Sequence, residues 1–312
     1  MLKIALMVEG QMGLNWDRWK RIATAVEEMG FAGLYRSDHY TNPEPPDMDS
    51  LELWASLTWL ASHTSSIEFG PLVSPVSFRD PTMTARMAGA VDDLSDGRLV
   101  LGLGAGWQER EHRNFGWQLG DMQERFDRFE EGLIVITELL RSDQPITFSG
   151  SYYQLHEAIL LPRPQRLGGP TILIGGNGPK RTLPLVTKFA DEWNGVFIPS
   201  EKYAATNALL NDMLLEADRD PRAVKRSLMT NLVFGRTDQE VNRLIQQGVF
   251  GITSKSELQE HGIIAGTASE VIDQLGGFAA AGVEKIMLQW LDIDAIDRLE
   301  AFAQIVLDEN PR

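Results

Sequence analysis

The sequence predicts a parallel (β/α)8 barrel, and three observations carry that prediction. Eight short apolar runs are spaced along the chain, with amphipathic segments between them. Each run is too apolar to leave one face in water, the pattern of strands covered on both sides. The intervening segments carry helix start signals, so strand and helix alternate from end to end. An open doubly wound sheet is the alternative assembly of the same units.

The first run, Leu2 to Val8, is followed by a helix from Trp16 to Met29 that Gly30 stops. The second run, Ala32 to Arg36, ends on Ser37-Asp38-His39. The third is Ile67 to Val73, after which Asp80-Pro81 supplies a helix N-cap and a proline at the first helical position. The fourth, Leu99 to Leu103, leads through glycines to a long helix ending near Arg141. Residues 145–155 then read as a hairpin excursion around Ser149-Gly150-Ser151. The fifth run, Thr171 to Ile174, precedes Gly178-Pro179, which repeats the start signal and places a helix from Pro179. Runs six and seven are Trp193 to Ile198 and Leu228 to Phe234. An insertion follows over 235–266, with two short helical patterns and glycines at 248, 251 and 262. Thr267-Ala-Ser-Glu270 is a capping box ahead of the last helix pattern, and Lys285 to Trp290 is the eighth run. Long insertions on barrels follow strand ends and shape the pocket.

Residues 1–312 show no internal repeat, low-complexity tract or linker and are read as one domain. The net charge of −15 speaks against nonspecific nucleic-acid or anionic-membrane partners. The absence of cysteine excludes disulfides, thiolate nucleophiles and cysteine-bound metals. No run approaches the ~18 apolar residues of a membrane span. The first strand begins directly after Met1 and leaves no room for a cleaved signal, so a cytoplasmic protein acting on a small molecule is expected.

Asp38 and His39 put a carboxylate and an imidazole at a strand's C-terminal end, the edge where barrels and open sheets build active sites. Position alone leaves the alternative that Asp38 caps a turn and His39 lies on the surface. Leu101-Gly-Leu-Gly-Ala-Gly106 invites a dinucleotide fingerprint, but Trp107 occupies the place of its third small residue. Glycines at 102, 104 and 106 instead remove side chains where something flat or bulky approaches the strand end, or where Trp107 tucks over the mouth. Gly175-Gly176-Asn177-Gly178 is followed by Lys180 and Arg181, cations in what reads as a first helical turn, where the dipole favours anions. That placement suits a ligand phosphate or carboxylate on the free N–H groups. Residues 158–190 contain no acid but hold Arg163, Arg166, Lys180, Arg181 and Lys188. The competing reading is a proline-rich loop plus a solvated helix face.

With these motifs together, the chain resembles the luciferase-like monooxygenase superfamily, and within it the branch using the deazaflavin coenzyme F420. The resemblance covers nearly the whole chain. It rests on Ser37-Asp38-His39, Gly70-Pro-Leu-Val73, Gly102-Leu-Gly-Ala-Gly-Trp107, Glu111-His112, Asn114-Phe-Gly116, Glu124-Arg-Phe-Asp-Arg128, Gly175-Gly-Asn-Gly178 and Ala190-Asp-Glu-Trp-Asn194. Members using FMN share most of these motifs; His39 after Asp38 favours F420.

The resemblance implies a barrel with the cofactor ring across its C-terminal mouth. Asp38 contacts the cofactor, and His39 faces the substrate and handles its proton. A cis peptide at Leu72–Val73 lies behind the ring, beside Gly104, Gly106 and Trp107. Gly175, Gly176, Asn177 and Gly178, with Lys180 and Arg181, match the phosphate loop, and Arg163 or Arg166 reaches the cofactor tail. Relatives are commonly dimers, so a homodimer is expected. FMN-dependent oxygenation is the alternative chemistry, and a flavin-binding barrel without turnover the second.

The chain also departs from the pattern. Sugar-phosphate-oxidising relatives carry a catalytic glutamate where this chain has Trp107; Glu109 and Glu111 follow two and four residues later, and Glu109 is the second catalytic candidate. His63, His112, His156 and His261 show no metal-ligand spacing and read as structural or surface residues, so no metal is expected. Hydrolase-elbow, zinc-protease and P-loop motifs are absent.

Overall fold

The computed structural model describes residues 2–248 and 251–307. Twelve strands are found among them: β1 (Lys3–Val8), β2 (Gly33–Arg36), β3 (Glu68–Pro71), β4 (Ser74–Pro75), β5 (Val100–Gly104), β6 (Ile146–Ser149), β7 (Gln154–Ala158), β8 (Thr171–Gly175), β9 (Glu192–Val196), β10 (Lys225–Phe234), β11 (Ile264–Gly266) and β12 (Lys285–Gln289). The order β3-β2-β1-β12-β10-β9-β8-β5-β4 is parallel throughout, and a parallel bridge from Phe69 to Leu99 brings β3 back against the start of β5. The result is the expected barrel, nearly closed, with helices around it.

Each expected run appears as a strand, but the third is split. It ends at Pro71, passes through a cis Leu72–Val73 peptide, and resumes at Ser74 beside β5. β6 and β7 form the antiparallel hairpin. The insertion holds helices Asp238–Gln246 and Lys255–Glu260 and also β11, which pairs with Leu232–Phe234 of β10. A strand of three residues, Ile-Ala-Gly, is too short to show a period in the sequence.

Strand alternation divides the core. Ile4, Leu6, Ile286 and Leu288 face the helices in one large cluster, while Ala5, Met7, Met229 and Met287 fill the barrel with Tyr35, Leu72, Val100 and Leu173. The N-terminal end of the barrel is closed by charge. Lys285 Nζ donates to Glu68 at 2.8 Å, Glu192 at 2.9 Å and the Tyr35 hydroxyl at 3.0 Å. Burial opposes the lysine's charge, yet these neighbours hold its pKa well above the ordinary value.

Asp80 caps its helix through Thr82 N at 2.8 Å, and the Thr267–Glu270 capping box forms as expected. The start expected at Pro179 is corrected: the helix is Thr182–Phe189. Thr182 N and Leu183 N both donate to the Gly178 carbonyl at 3.0 Å, which folds 179–181 into a turn. Lys180 and Arg181 therefore precede the helix.

Candidate active site

All four residues of β2 are buried, and the strand delivers Ser37, Asp38 and His39 to the C-terminal mouth. Asp38 is 4% exposed. Its carboxylate accepts the Ser74 hydroxyl at 2.7 Å and both terminal nitrogens of Arg79. Arg79 also reaches Glu52 at 3.1 Å. Burial disfavours the guanidinium's charge, but Asp38 outweighs that and raises its pKa. Asp38 is thus anchored by protein partners.

His39 Nδ1 lies 2.9 Å from Glu111 Oε1, and the Tyr40 N–H donates to Glu111 Oε2 at 3.1 Å. Glu111 is only 1% exposed. Burial pulls the His39 pKa down, but the Glu111 hydrogen bond and charge, with Glu9 and Asp38 behind them, carry it above the ordinary imidazole value. A carboxylate on Nδ1 fixes the Nδ1–H form and leaves Nε2 for proton transfer. Trp107, 58% exposed, meets the His39 ring edge-on at 5.5 Å.

Glu109, the residue expected to assist catalysis, is corrected. Its side chain is 83% exposed and its ion-pair partner is Arg125 at 3.7 Å. Glu109 and Glu111 share the helix Glu109–Phe115, where two positions are about 200° apart, so they point in opposite directions. The inward one is Glu111. His112, on the same helix, is buried and structural: it contacts Ser77 Oγ and the Gln108 carbonyl, each at 2.7 Å. His63, His156 and His261 are exposed.

The first glycine cluster surrounds Val73. A Cβ on Gly102 would stand 2.2 Å from the Pro71 carbonyl, one on Gly104 2.6 Å from Val73 Cγ2, and one on Gly175 3.4 Å from Val73 Cγ1. What approaches these strand ends is the chain at Leu72–Val73. Gly106 turns the chain away with φ 84°.

In the second cluster, Asn177 clamps the loop to β9: its Nδ2 donates to the Val196 carbonyl at 2.7 Å, and Val196 N donates to its Oδ1 at 3.0 Å. Gly176 takes φ 126° and donates to the Asn194 carbonyl at 2.9 Å. Among the described residues the N–H groups of Gly178, Lys180 and Arg181 take no intramolecular acceptor, and neither Lys180 nor Arg181 has a carboxylate partner. Arg181 lies over the Phe126 ring at 5.6 Å. These unpaired donors and cations fit an anionic group.

Arg163 and Arg166 are corrected as tail contacts. Arg166 binds Asp92 and the Leu99 carbonyl at the start of β5, and Arg163 binds the Leu139 and Leu140 carbonyls. Arg166 is therefore at the opposite end of the barrel from the mouth. The acid-free stretch divides among sites whose acids come from distant sequence.

The sequence reading missed a polar belt across the mouth. Ser37 Oγ donates to Gln11 at 2.8 Å, Gln11 donates to Glu9 at 2.9 Å, Gln289 also donates to Glu9, and Asn231 donates to Gln289 at 3.0 Å. Its one sequence signal is polar Asn231 and Gln289 within apolar runs. Arg79 and Ser74 gave none. Among the described residues no cluster of three or more His, Asp or Glu is placed to hold a metal, and no helix is long and apolar enough to cross a membrane.

A family model for luciferase-like monooxygenases matches residues 4–268. The chain belongs to this family. An F420-dependent glucose-6-phosphate dehydrogenase of Kineococcus radiotolerans is 28% identical over 225 residues, covering 72% of this chain and 61% of that protein. An F420-dependent hydroxymycolic acid dehydrogenase of Mycobacterium tuberculosis is 31% identical over 178 residues, covering 57% of this chain and 48% of its own. The chain thus spans less than two thirds of either relative. An F420-dependent secondary alcohol dehydrogenase in complex with an F420-acetone adduct superposes with TM-score 0.82 at 20% identity, over 98% of this chain and 99% of that one. The oxygenating constituent of 3,6-diketocamphane monooxygenase from Pseudomonas putida, in complex with FMN, gives 0.76 at 16% identity, over 99% of each chain. These two likenesses show a common barrel fold.

Proposed function

We propose that this family member, as one domain over 1–312, is an oxidoreductase that moves hydride between coenzyme F420 and a small organic substrate. The observation that carries the reading is the His39–Glu111 pair at the barrel mouth. Binding alone needs no imidazole oriented by a buried carboxylate. The cofactor's anionic arm is assigned to the N–H groups of Gly178, Lys180 and Arg181 and to the two cations, with Asn177 holding that loop in shape. The mouth around Asp38, Leu72, Val73, Gly104, Gly106, Gly175, Gly176 and Trp107 is assigned to the ring. When bound, F420 supplies two-electron hydride chemistry. The chain's own part is the proton: His39 Nε2 takes it from an alcohol hydroxyl or returns it to a ketone oxygen, and Glu111 keeps Nδ1–H in place and stabilises the imidazolium. Trp107 screens the imidazole from water on one side.

The cradle's chemistry equally admits the single phosphate of FMN, so an FMN-dependent monooxygenase is the second reading. A cytoplasmic homodimer is proposed with either one, and light scattering tests the assembly. Anaerobic titration of the purified protein with F420 and with FMN tests the cofactor; tighter binding of FMN overturns the first reading. In turnover of F420 with a panel of secondary alcohols and ketones, His39→Ala should bind cofactor nearly normally yet lose on the order of 10²–10⁴ in rate. Wild-type turnover in that variant would remove His39 from the chemistry.

A further inference from the structure

The β10–β12 ladder ends at Asn231 and Gln289. Beyond it, β10 continues beside β11 through Leu232–Phe234, while the chain after β12 follows β1 through Trp290 N to the Met7 carbonyl at 2.9 Å. The two strands part, and a cavity of about 310 Å³ opens between them. Leu232, Phe234 and Leu244 supply an apolar wall, and Gln247, Asp292 and Arg298 polar edges. Asn231, the last member of the belt that begins at Ser37, lines it too, so the cavity adjoins that belt.

Two donors on this lining have no acceptor among the described residues. Trp290 is 3% exposed and its indole N–H is unpartnered; so is Nε of Arg298, whose guanidinium lies over the Trp290 ring at 5.1 Å. Buried donors are almost always paired, and an orphan marks a place for a missing acceptor. The charge at the site is already balanced, because Arg298 Nη2 donates to Asp292 at 2.9 Å. A carboxylate or phosphate entering here would face the Asp292 carboxylate. An uncharged oxygen would meet two free donors and a hydrocarbon wall.

We propose that this cavity is a distal subsite for an uncharged, largely apolar substrate, with Trp290 and Arg298 donating to a ketone, hydroxyl or ether oxygen. This rests on the reading of the mouth as an oxidoreductase site and gives that reading a substrate class.

The test uses the full chain labelled with ¹⁵N at tryptophan, with the Trp290 indole resonance assigned by Trp290→Phe. Titration with cyclohexanone should move that resonance saturably, and cyclohexanecarboxylate should bind at least about tenfold more weakly. Saturation-transfer measurements should show Trp290→Phe weakening cyclohexanone binding by roughly two- to tenfold, the worth of one neutral hydrogen bond. The cavity-filling Leu244→Trp should abolish binding while both donors remain. A still Trp290 resonance, equal binding of the carboxylate, or unchanged binding in both variants overturns the proposal. Loss of turnover in His39→Ala together with a silent Trp290 resonance would sink the subsite alone. Saturable ketone binding together with undiminished His39→Ala turnover would sink the oxidoreductase reading instead.

Discussion

Replacing Asp38 with asparagine keeps its shape and a partner for Ser74 but removes the charge that faces Arg79. Arg79 is 13% exposed and Asp38 4%, so the pair is buried. Breaking a buried pair by removing one partner costs about 3–5 kcal/mol, because the other charge is left in a poorly solvated place. Glu52 remains 3.1 Å from Arg79 Nη2 and is 49% exposed, so part of the compensation survives. The expected loss is at the low end, about 3 kcal/mol. Urea denaturation reads it directly, provided the slope with denaturant is unchanged. Arg79→Met alone should also destabilise, and the double variant should lose less than the sum, with a coupling energy of roughly 2–3 kcal/mol. A loss under about 1 kcal/mol for Asp38→Asn, or strict additivity, would show that Arg79 is solvated and that Asp38 is free to serve a ligand.

Glu111→Gln removes the nearest negative charge that offsets burial at His39, so the imidazole pKa should fall; ¹⁵N NMR of the histidine rings measures it, and a rise would contradict the assigned pair. Because the folded-state value is raised, this contact's stabilisation is fully present below the ordinary value of 6.5 and lost as pH rises through the folded value, and that dependence should weaken in the variant. Arg181→Glu should weaken F420 binding by at least about tenfold at low salt, since a hydrogen bond to a charged group is worth about 1.5–3 kcal/mol, while leaving the urea midpoint in place; unchanged affinity removes the anion cradle. Gly104→Ala places a Cβ 2.6 Å from Val73 and should cost about 1–3 kcal/mol by overpacking, read from the same denaturation curves.

Much of the barrel was legible because it is written locally. Runs such as Leu2 to Val8 and Lys285 to Trp290 are apolar enough to declare strands buried on both faces, and Asp80-Pro81 and Thr267–Glu270 declare helix starts. The end of the second run also announced His39, since a strand's C-terminal edge follows from the order of elements. Contacts between elements were not written there. Which of Glu109 and Glu111 turns inward depends on where a seven-residue helix sits against His39 and Tyr40, just past β2, and only the tertiary structure sets that angle. The glycines at 102, 104 and 175 announced a close approach, but that Val73 makes it is decided by the split in the third strand. The basic stretch from 158 to 190 looked like one anion site; folding carries Arg166 to Asp92 at the far end and leaves Lys180 and Arg181 at the mouth. Composition records charges, whereas only the packed chain decides which acid, arriving from elsewhere in the sequence, neutralises each one.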